Sequence, residues 1–194
     1  MPRRITELHS IMPIANIPSV MAHGILSYKK AVSLHHEDVS MPAIQERRDN
    51  VQVPRGLKLH QYANLYFHAR NPMLYKRKEQ VESLCILRIS TDVLKIKDAV
   101  ITDQNASSNY VRFLPPTAIN QLQLDQIYAE SWQHTDKIAY WRHKSQKCAE
   151  VLIPHQIAPR YITGAYVVSQ KAQNNLQNSN FPHAIEVNAY LFFR

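Results

Sequence analysis

The sequence predicts an α+β fold in which many short strands outnumber the helices. Three observations lead there. Short apolar runs bounded by polar or turn-forming residues recur along the whole chain. Helical periodicity is confined to a few segments. Only three glycines occur, Gly24, Gly56 and Gly164, so the chain has neither a Gly-rich dinucleotide fingerprint nor a Walker phosphate loop.

Taken in order, Ile5 to Ile11 reads as the first strand. Asn16 then caps a short helix that carries Pro18 in its first turn, docks through Ile17, Val20 and Met21, and stops at Gly24. From Ser27 to Pro54 the chain turns polar and reads as a long loop, the kind that inside a compact domain serves function or moves. Strands follow at Tyr62 to Phe67, Leu84 to Ser90, Ala99 to Thr102, Ala149 to Ile153 and Ala165 to Ser169. The last, Ala184 to Phe193, alternates Ile185, Val187, Ala189, Leu191 and Phe193 with Glu186, Asn188 and Tyr190, the period of a half-buried strand. Ala118 to Trp132 and Lys137 to Gln146 are helix-like, and the polar stretch from Gln170 to Asn180 is too short to link two domains.

A chain of 194 residues fits one domain spanning 1–194 and can bury a core without metal or disulfide staples. A formal net charge of +8 favours an anionic partner such as nucleic acid, although a generically basic surface explains the charge equally well. Cys85 and Cys148 sit among apolar residues without Cys-x-x-Cys or His spacing, so both read as reduced core thiols and no metal is expected. No apolar run is long enough for a membrane span, and Met1-Pro2-Arg3-Arg4 leads straight into polar residues, so a soluble, cytoplasmic protein without a membrane partner is expected. His-Glu-x-x-His, Gly-x-Ser-x-Gly and paired zinc-deaminase spacings are absent.

What remains for chemistry is a set of separated polar groups: His9, Arg48, the aromatic block from Tyr62 to Tyr75, and Glu150. Glu150 is a lone carboxylate in the apolar run Cys148-Ala149-Glu150-Val151-Leu152-Ile153-Pro154. Such a strand is built for burial, so the carboxylate needs a physical reason unless it faces solvent on an edge. Taken singly, His9 also fits a structural histidine, Arg48 a solvated arginine, and Met73 and Tyr75 core residues of a short helix beginning near Asn71. Trp132, Trp141, Arg142, His143, Lys144 and Lys147 mix aromatics with positive charge just before the Glu150 strand. That composition suits single strands, and equally an amphipathic helix whose tryptophans pack inward.

Several segments, in this order, resemble one family: Leu8-His9-Ser10-Ile11, Asn16-Ile17, Gly24-Ile25-Leu26, Ile44-Gln45-Glu46-Arg47-Arg48, Leu59-His60-Gln61-Tyr62, Tyr66-Phe67-His68-Ala69-Arg70-Asn71-Pro72-Met73-Leu74-Tyr75, Thr102-Asp103 and Ala149-Glu150-Val151-Leu152. Together they are similar to the DarT family of single-stranded DNA ADP-ribosyltransferase toxins. The resemblance spans nearly the whole chain, and its most specific part is Gln-Glu-Arg-Arg combined with Asn-Pro-Met-Leu-Tyr. It implies the ADP-ribosyltransferase fold, with central mixed, mostly antiparallel β-sheets forming an NAD cleft and helices at the periphery. It also implies NAD as co-substrate, single-stranded DNA as acceptor, and a DarG-like macrodomain antitoxin encoded nearby that reverses the modification.

Carried onto this sequence, the resemblance makes Glu150 the catalytic glutamate and Arg48 the arginine beside it, gripping a phosphate of NAD or polarising the acceptor base. The chemistry agrees, because a carboxylate near the ribose stabilises oxocarbenium character and can accept a proton from an incoming base. The resemblance assigns His9, Ser10, Asn16, Gly24, Leu26, Tyr66, Phe67, Met73 and Tyr75 to the NAD site, with Met73 and Tyr75 also touching the acceptor base. In ADP-ribosyltransferases the stretch before the Glu150 strand is the target-recognition loop, which makes Trp132, Trp141, Arg142, Lys144 and Lys147 candidates for DNA contact. Closeness to the thymine-modifying branch of the family makes thymine the expected acceptor; His68-Ala69-Arg70-Asn71 stands where Pro-Arg-Ser is more usual, and Leu-His-Ser where Tyr-His-Ile-Thr is more usual, which leaves guanine and the target motif open. An enzyme of this fold acting on RNA, or an NAD glycohydrolase, is the alternative reading; a non-catalytic nucleic-acid-binding module is a third.

Overall fold

The structure is a computed structural model that describes residues 5–34, 36–37 and 42–193. Among these, the strands are β1 (Leu8–Pro13), β2 (Ile25–Leu26), β3 (Tyr62–Tyr66), β4 (Leu84–Ile89), β5 (Val100–Thr102), β6 (Phe113–Leu114), β7 (Glu150–Pro154), β8 (Gln156–Ile157), β9 (Ile162–Val167) and β10 (Ala184–Val187). The α-helices are α1 (Ile17–His23), α2 (Tyr28–Ala31), α3 (Pro42–Asp49), α4 (Pro72–Tyr75), α5 (Leu124–Ile127), α6 (Lys137–Gln146) and α7 (Gln170–Asn178). One sheet runs β10-β9-β4-β1-β3-β7-β5-β6, and β2 pairs with β8 in a small second sheet. Every neighbouring pair is antiparallel except β9 with β10.

The central strands are rich in apolar residues, and Leu8, Leu65, Leu84, Ile86, Leu87, Val151 and Ile153 are almost wholly buried. Each such side chain contributes roughly 1.5–3 kcal/mol by leaving water. A smaller cluster of Val53, Leu59, Tyr62, Ala106 and Leu152 packs under the loops at the other side of β3 and β7. Its importance is positional, because it fixes the backbone of Ala106.

The sheet opens where the site will lie. β1 pairs with β4 over six residues but touches β3 at one pair, His9 opposite Tyr66. Tyr66 in turn pairs with Glu150 across β3 and β7. Beyond that row β1 and β3 part, and a cleft forms between Ser10 to Pro13 on one wall and Asn64 and Tyr66 on the other.

Local chemistry accounts for the boundaries. Gly24 ends α1 at a φ of 81°, and a Cβ there would lie 2.2 Å from the Ile157 carbonyl oxygen, so glycine is required both by conformation and by the approach of β8. Asn16 stands at the start of α1 without capping it, since its side-chain amide instead exchanges hydrogen bonds with the backbone of Glu37 at 2.8 and 2.9 Å. That pair ties the cleft floor to the segment following α2.

Three sequence expectations need correction, and one stretch gains an element the sequence reading did not assign. The polar stretch from Ser27 to Pro54 contains α2 and α3 instead of a bare loop, while residues 35 and 38–41 within it lie outside the described residues. Ala118 to Trp132 is not one helix: a 3-10 segment, Pro116–Gln121, and the short α5 are separated by an extended Leu122. The stretch from Gln170, read only as too short to link domains, forms a helix over Gln170–Asn178, capped by the Ser169 hydroxyl and docked through Ala172 and Leu176. The final strand stops at Val187, because Arg70 takes the carbonyls of Tyr190 and Phe192 at 2.8 and 2.7 Å and draws the chain out of the sheet.

Candidate active site

Glu150 opens β7 at the base of the cleft and is 1% exposed. Its backbone N–H donates to the Thr102 hydroxyl at 2.9 Å, and that hydroxyl donates to the Gln104 carbonyl at 2.7 Å. Thr102 ends β5, so sheet pairing and a side chain jointly fix where the carboxylate begins. The Ala106 N–H donates to Glu150 Oε1 at 3.0 Å, and Arg48 Nη1 donates to both carboxylate oxygens, at 3.2 and 3.0 Å. Every contact is one the carboxylate accepts. A buried carboxylate without such donors would be too costly to hold.

Arg48 comes from the last turn of α3 and is itself buried. It bridges 102 residues of sequence to reach Glu150. Tyr66, paired with Glu150 across the strands, lines the same wall. Burial and the neighbouring Glu150 charge push its phenol well above the usual range, so its hydroxyl remains a protonated donor. Cys148, also in the wall, is pushed up to about 12 by burial and by Glu150, which makes it an inert thiol.

The cleft encloses about 1190 Å³. Of the residues the sequence nominates, Ser10, Asn16, Gly24, Leu26, Arg48, Tyr66, Met73 and Glu150 line it. Trp141 and Lys144, on α6, stand at its edge, with the Lys144 ammonium 4.6 Å from the Trp141 ring centroid. Met73 is placed by its neighbour: buried Asn71 caps α4, accepting from the Met73 and Leu74 N–H groups.

Six nominated residues lie elsewhere. His9 is buried outside the lining; its Nδ1 accepts from the Ala69 N–H at 3.1 Å, which leaves Nε2–H to donate to Glu7 at 3.1 Å. Both ring nitrogens are engaged, so the histidine joins β1 to the Tyr66–Tyr75 block. Phe67, the residue after β3 ends, is wholly buried in the core. Tyr75 packs edge-on against Trp132 and Phe193 on the outer side of α4. Trp132 is 5% exposed within that aromatic cluster. Arg142 is exposed on α6 away from the lining, and Lys147 is fully buried, donating to the Ala129 carbonyl at 2.5 Å and to His68 Nδ1 at 3.2 Å.

Other residues in the site are ones sequence reasoning missed. Asn64 lies two positions before Tyr66 on the same strand face and lines the cleft, a placement that strand alternation could have signalled. Ala106 contributes only a backbone N–H, and Tyr28, Lys76 and Tyr110 reach the lining from loops or short helices, where no sequence pattern marks them. Among the described residues no group of His, Cys, Asp and Glu could hold a metal ion. No helix of the described residues is long and apolar enough to cross a membrane.

The sequence profile described as "ssDNA thymidine ADP-ribosyltransferase, DarT" matches residues 9–193. A Thermosipho africanus protein named as a DNA ADP-ribosyl transferase–DNA ADP-ribosyl glycohydrolase fusion is 31% identical, over 92% of this chain and 48% of its own length. The chain thus spans about half the length of that relative. The structure of Thermosipho africanus DarTG in complex with ADP-ribose superposes with a TM-score of 0.86 at 29% identity, covering 97% of this chain and 51% of the other. Thermus sp. 2.9 DarT in complex with ADP-ribosylated ssDNA shares the fold over the full length of both chains, with a TM-score of 0.83 at 22% identity. The architecture is therefore the ADP-ribosyltransferase fold, and with a profile match over nearly its entire length the chain belongs to the DarT family.

Proposed function

We propose that this chain transfers ADP-ribose from NAD to a base, thymine first, in single-stranded DNA. The observation that carries this reading is the arrangement of Glu150, Arg48 and Tyr66 at the base of a cleft of about 1190 Å³. The lining suits NAD: Ile11, Met12 and Met73 offer apolar surface, Tyr28 and Tyr66 offer aromatic faces, and Arg47, Arg48 and Lys76 supply positive charge for a pyrophosphate. The relatives named as DNA ADP-ribosyl transferases support the same assignment.

NAD supplies an activated glycosidic carbon whose nicotinamide leaves. Around it, Glu150 is the acceptor-only group, able to hold a ribose hydroxyl and to take the proton of an incoming base nitrogen. Arg48 neutralises and orients that carboxylate, and with the Ala106 N–H it keeps both oxygens in one place. Tyr66 provides a protonated hydroxyl on the same wall. Trp141 and Lys144 meet the acceptor strand at the rim, where stacking and charge are sequence-tolerant.

The residues 1–194 act as one ADP-ribosyltransferase domain in the cytoplasm. The glycohydrolase part of the fused Thermosipho relative supports the further reading that this chain is the toxin of a toxin-antitoxin system and pairs with a macrodomain antitoxin. Mass spectrometry of defined oligonucleotides after incubation with NAD tests the reading, with the mass of one ADP-ribosyl group, about 541 Da, expected to be added to thymine-containing single strands. Modification of RNA alone, or NAD consumed with water as sole acceptor, overturns it. Glu150→Gln keeps an oxygen for the Ala106 N–H but removes the charge, and is expected to lower transfer by roughly 100-fold or more with the fold intact.

A further inference from the structure

A second cavity, of about 770 Å³, lies beside the cleft. Its walls come from the end of α1, the β2–α2 segment, the turn before β3 and the turn joining β7 to β8. Leu26 and Leu34 line both spaces, so one strip of chain is the wall between them.

Three features of this cavity call for a ligand of one charge. Ser27, in its wall, is 1% exposed, and its hydroxyl has no hydrogen-bond partner. A buried hydroxyl in that state loses its hydration without replacement, and a group bound in the cavity would complete it. His155 occupies the same wall in the left-handed region, at a φ of 64°. Its N–H donates to the Gln61 carbonyl at 2.7 Å and its carbonyl accepts from the Ser27 N–H at 2.8 Å, so the surroundings hold an imidazole where glycine would be at ease. Third, Lys29, Lys30 and His23 join His155 in the lining, which contains no Asp or Glu among the described residues. Lys30 Nζ donates to Gln156 Oε1 at 2.8 Å, which fixes that cation on the wall.

We propose that this cavity is a second anion site that binds a phosphate group, separate from the NAD cleft. Ammonium groups serve phosphate as point charges, and the orphan hydroxyl and the imidazoles add directional donors. A phosphodiester of the acceptor strand and a small phosphorylated molecule present the same chemistry. The strand as source rests on the function proposed above, whereas the site itself does not.

Backbone amide shifts of the ¹⁵N-labelled chain, followed during addition of inorganic phosphate with chloride at matched ionic strength, test the site. Ser27, His155 and Gln156 are expected to shift with phosphate and not with chloride. In Lys29→Gln/Lys30→Gln, both exposed positions whose change spares the fold, the same shifts are expected to need at least tenfold more phosphate. Ser27→Ala is expected to weaken them as well. No phosphate-specific shift in the wild type, or an unchanged titration in the double variant, overturns the proposal.

The salt dependence of oligothymidylate binding then separates the sources. Loss of two strand contacts lowers the slope of log K against log[salt] by about 1.4. Lys97→Gln/Lys171→Gln, exposed lysines that line neither cavity, is the charge-matched control and is expected to leave the slope alone. A slope that falls only in the Lys29/Lys30 variant supports the strand as ligand; an unchanged slope with lost phosphate shifts supports a small phosphorylated ligand. Neither arm contains NAD, so a failure of the transferase reading shows up separately, in the mass spectra.

Discussion

Lys147 and Glu150, three residues apart, are both buried charges with opposite roles. Glu150 faces the cleft and is held by Arg48, while Lys147 points into the protein toward His68 and the Ala129 carbonyl. Removing the ammonium leaves those acceptors buried, so Lys147→Met is expected to cost about 3 kcal/mol. In a chain of this size that lowers Tm by roughly 6–12 °C. The salt dependence of strand binding should stay unchanged; a reduced slope with an unaltered melting curve would return Lys147 to the nucleic-acid interface. Glu7 shows how a carboxylate behaves when its partners are structural. Burial raises its pKa, but hydrogen bonds from His9, Arg88 and Tyr166 outweigh this and bring it to about 2. A depressed carboxylate stabilises the fold above its unfolded value and loses that contribution as pH falls from about 4.5 toward 2, a term on the order of 3 kcal/mol. Acid titration of stability is the measurement, and Glu7→Gln is expected to flatten the curve in that window while lowering stability at neutral pH.

At the scale of elements, the sequence was most legible where the period was clean and the ends were marked. Lys137 to Gln146 is a helix with the expected bounds, because Asp136 caps it through the Ala139 N–H and no proline intervenes. β7 was legible from its apolar run, and with it the depth of Glu150. The failures have a common cause in contacts made from far along the chain. Nothing between Ala184 and Phe193 announces Arg70, which ends β10 early, and nothing near Trp132 announces the Tyr75 and Phe193 rings that enclose it. His9 stays outside the cleft lining for the same reason, since Glu7 and the Ala69 N–H claim both nitrogens. Gly24 is the opposite case, a single residue whose place in an element is visible in both sequence and structure. Gly24→Ala forces an L side chain into a φ of 81° and against the Ile157 oxygen, so a cost of about 2 kcal/mol or more is expected. Because Gly24 also lines the cleft, thermal melting and the KM for NAD should both worsen, and a variant as stable as wild type refutes the strain.

The whole molecule combines a net charge of +8 with a cleft whose rim carries exposed aromatic rings, Trp141 at 62% and Tyr110 at 87%. Charge alone would draw any nucleic acid, single or double stranded. On the proposed function the rings are what would discriminate, because a base can stack on them only if it is free of its own stack, and a duplex would have to extrude a nucleotide to bring it down to Glu150. The chain has two tryptophans and they are differently placed: Trp132 is 5% exposed and Trp141 stands in solvent. Tryptophan emission therefore reads the rim directly. A thymine-containing single strand is expected to quench it, the same sequence as a duplex to quench it far less at equal phosphate concentration. Stacking is worth about 1–3 kcal/mol per base, so Trp141→Ala should weaken single-strand binding by roughly tenfold or more. Trp141→Phe should abolish the quench while leaving the emission of Trp132 in place. If the quench survives that substitution, or the duplex quenches as well as the single strand, the rim is not where the acceptor strand is selected, and charge alone brings nucleic acid to the cleft.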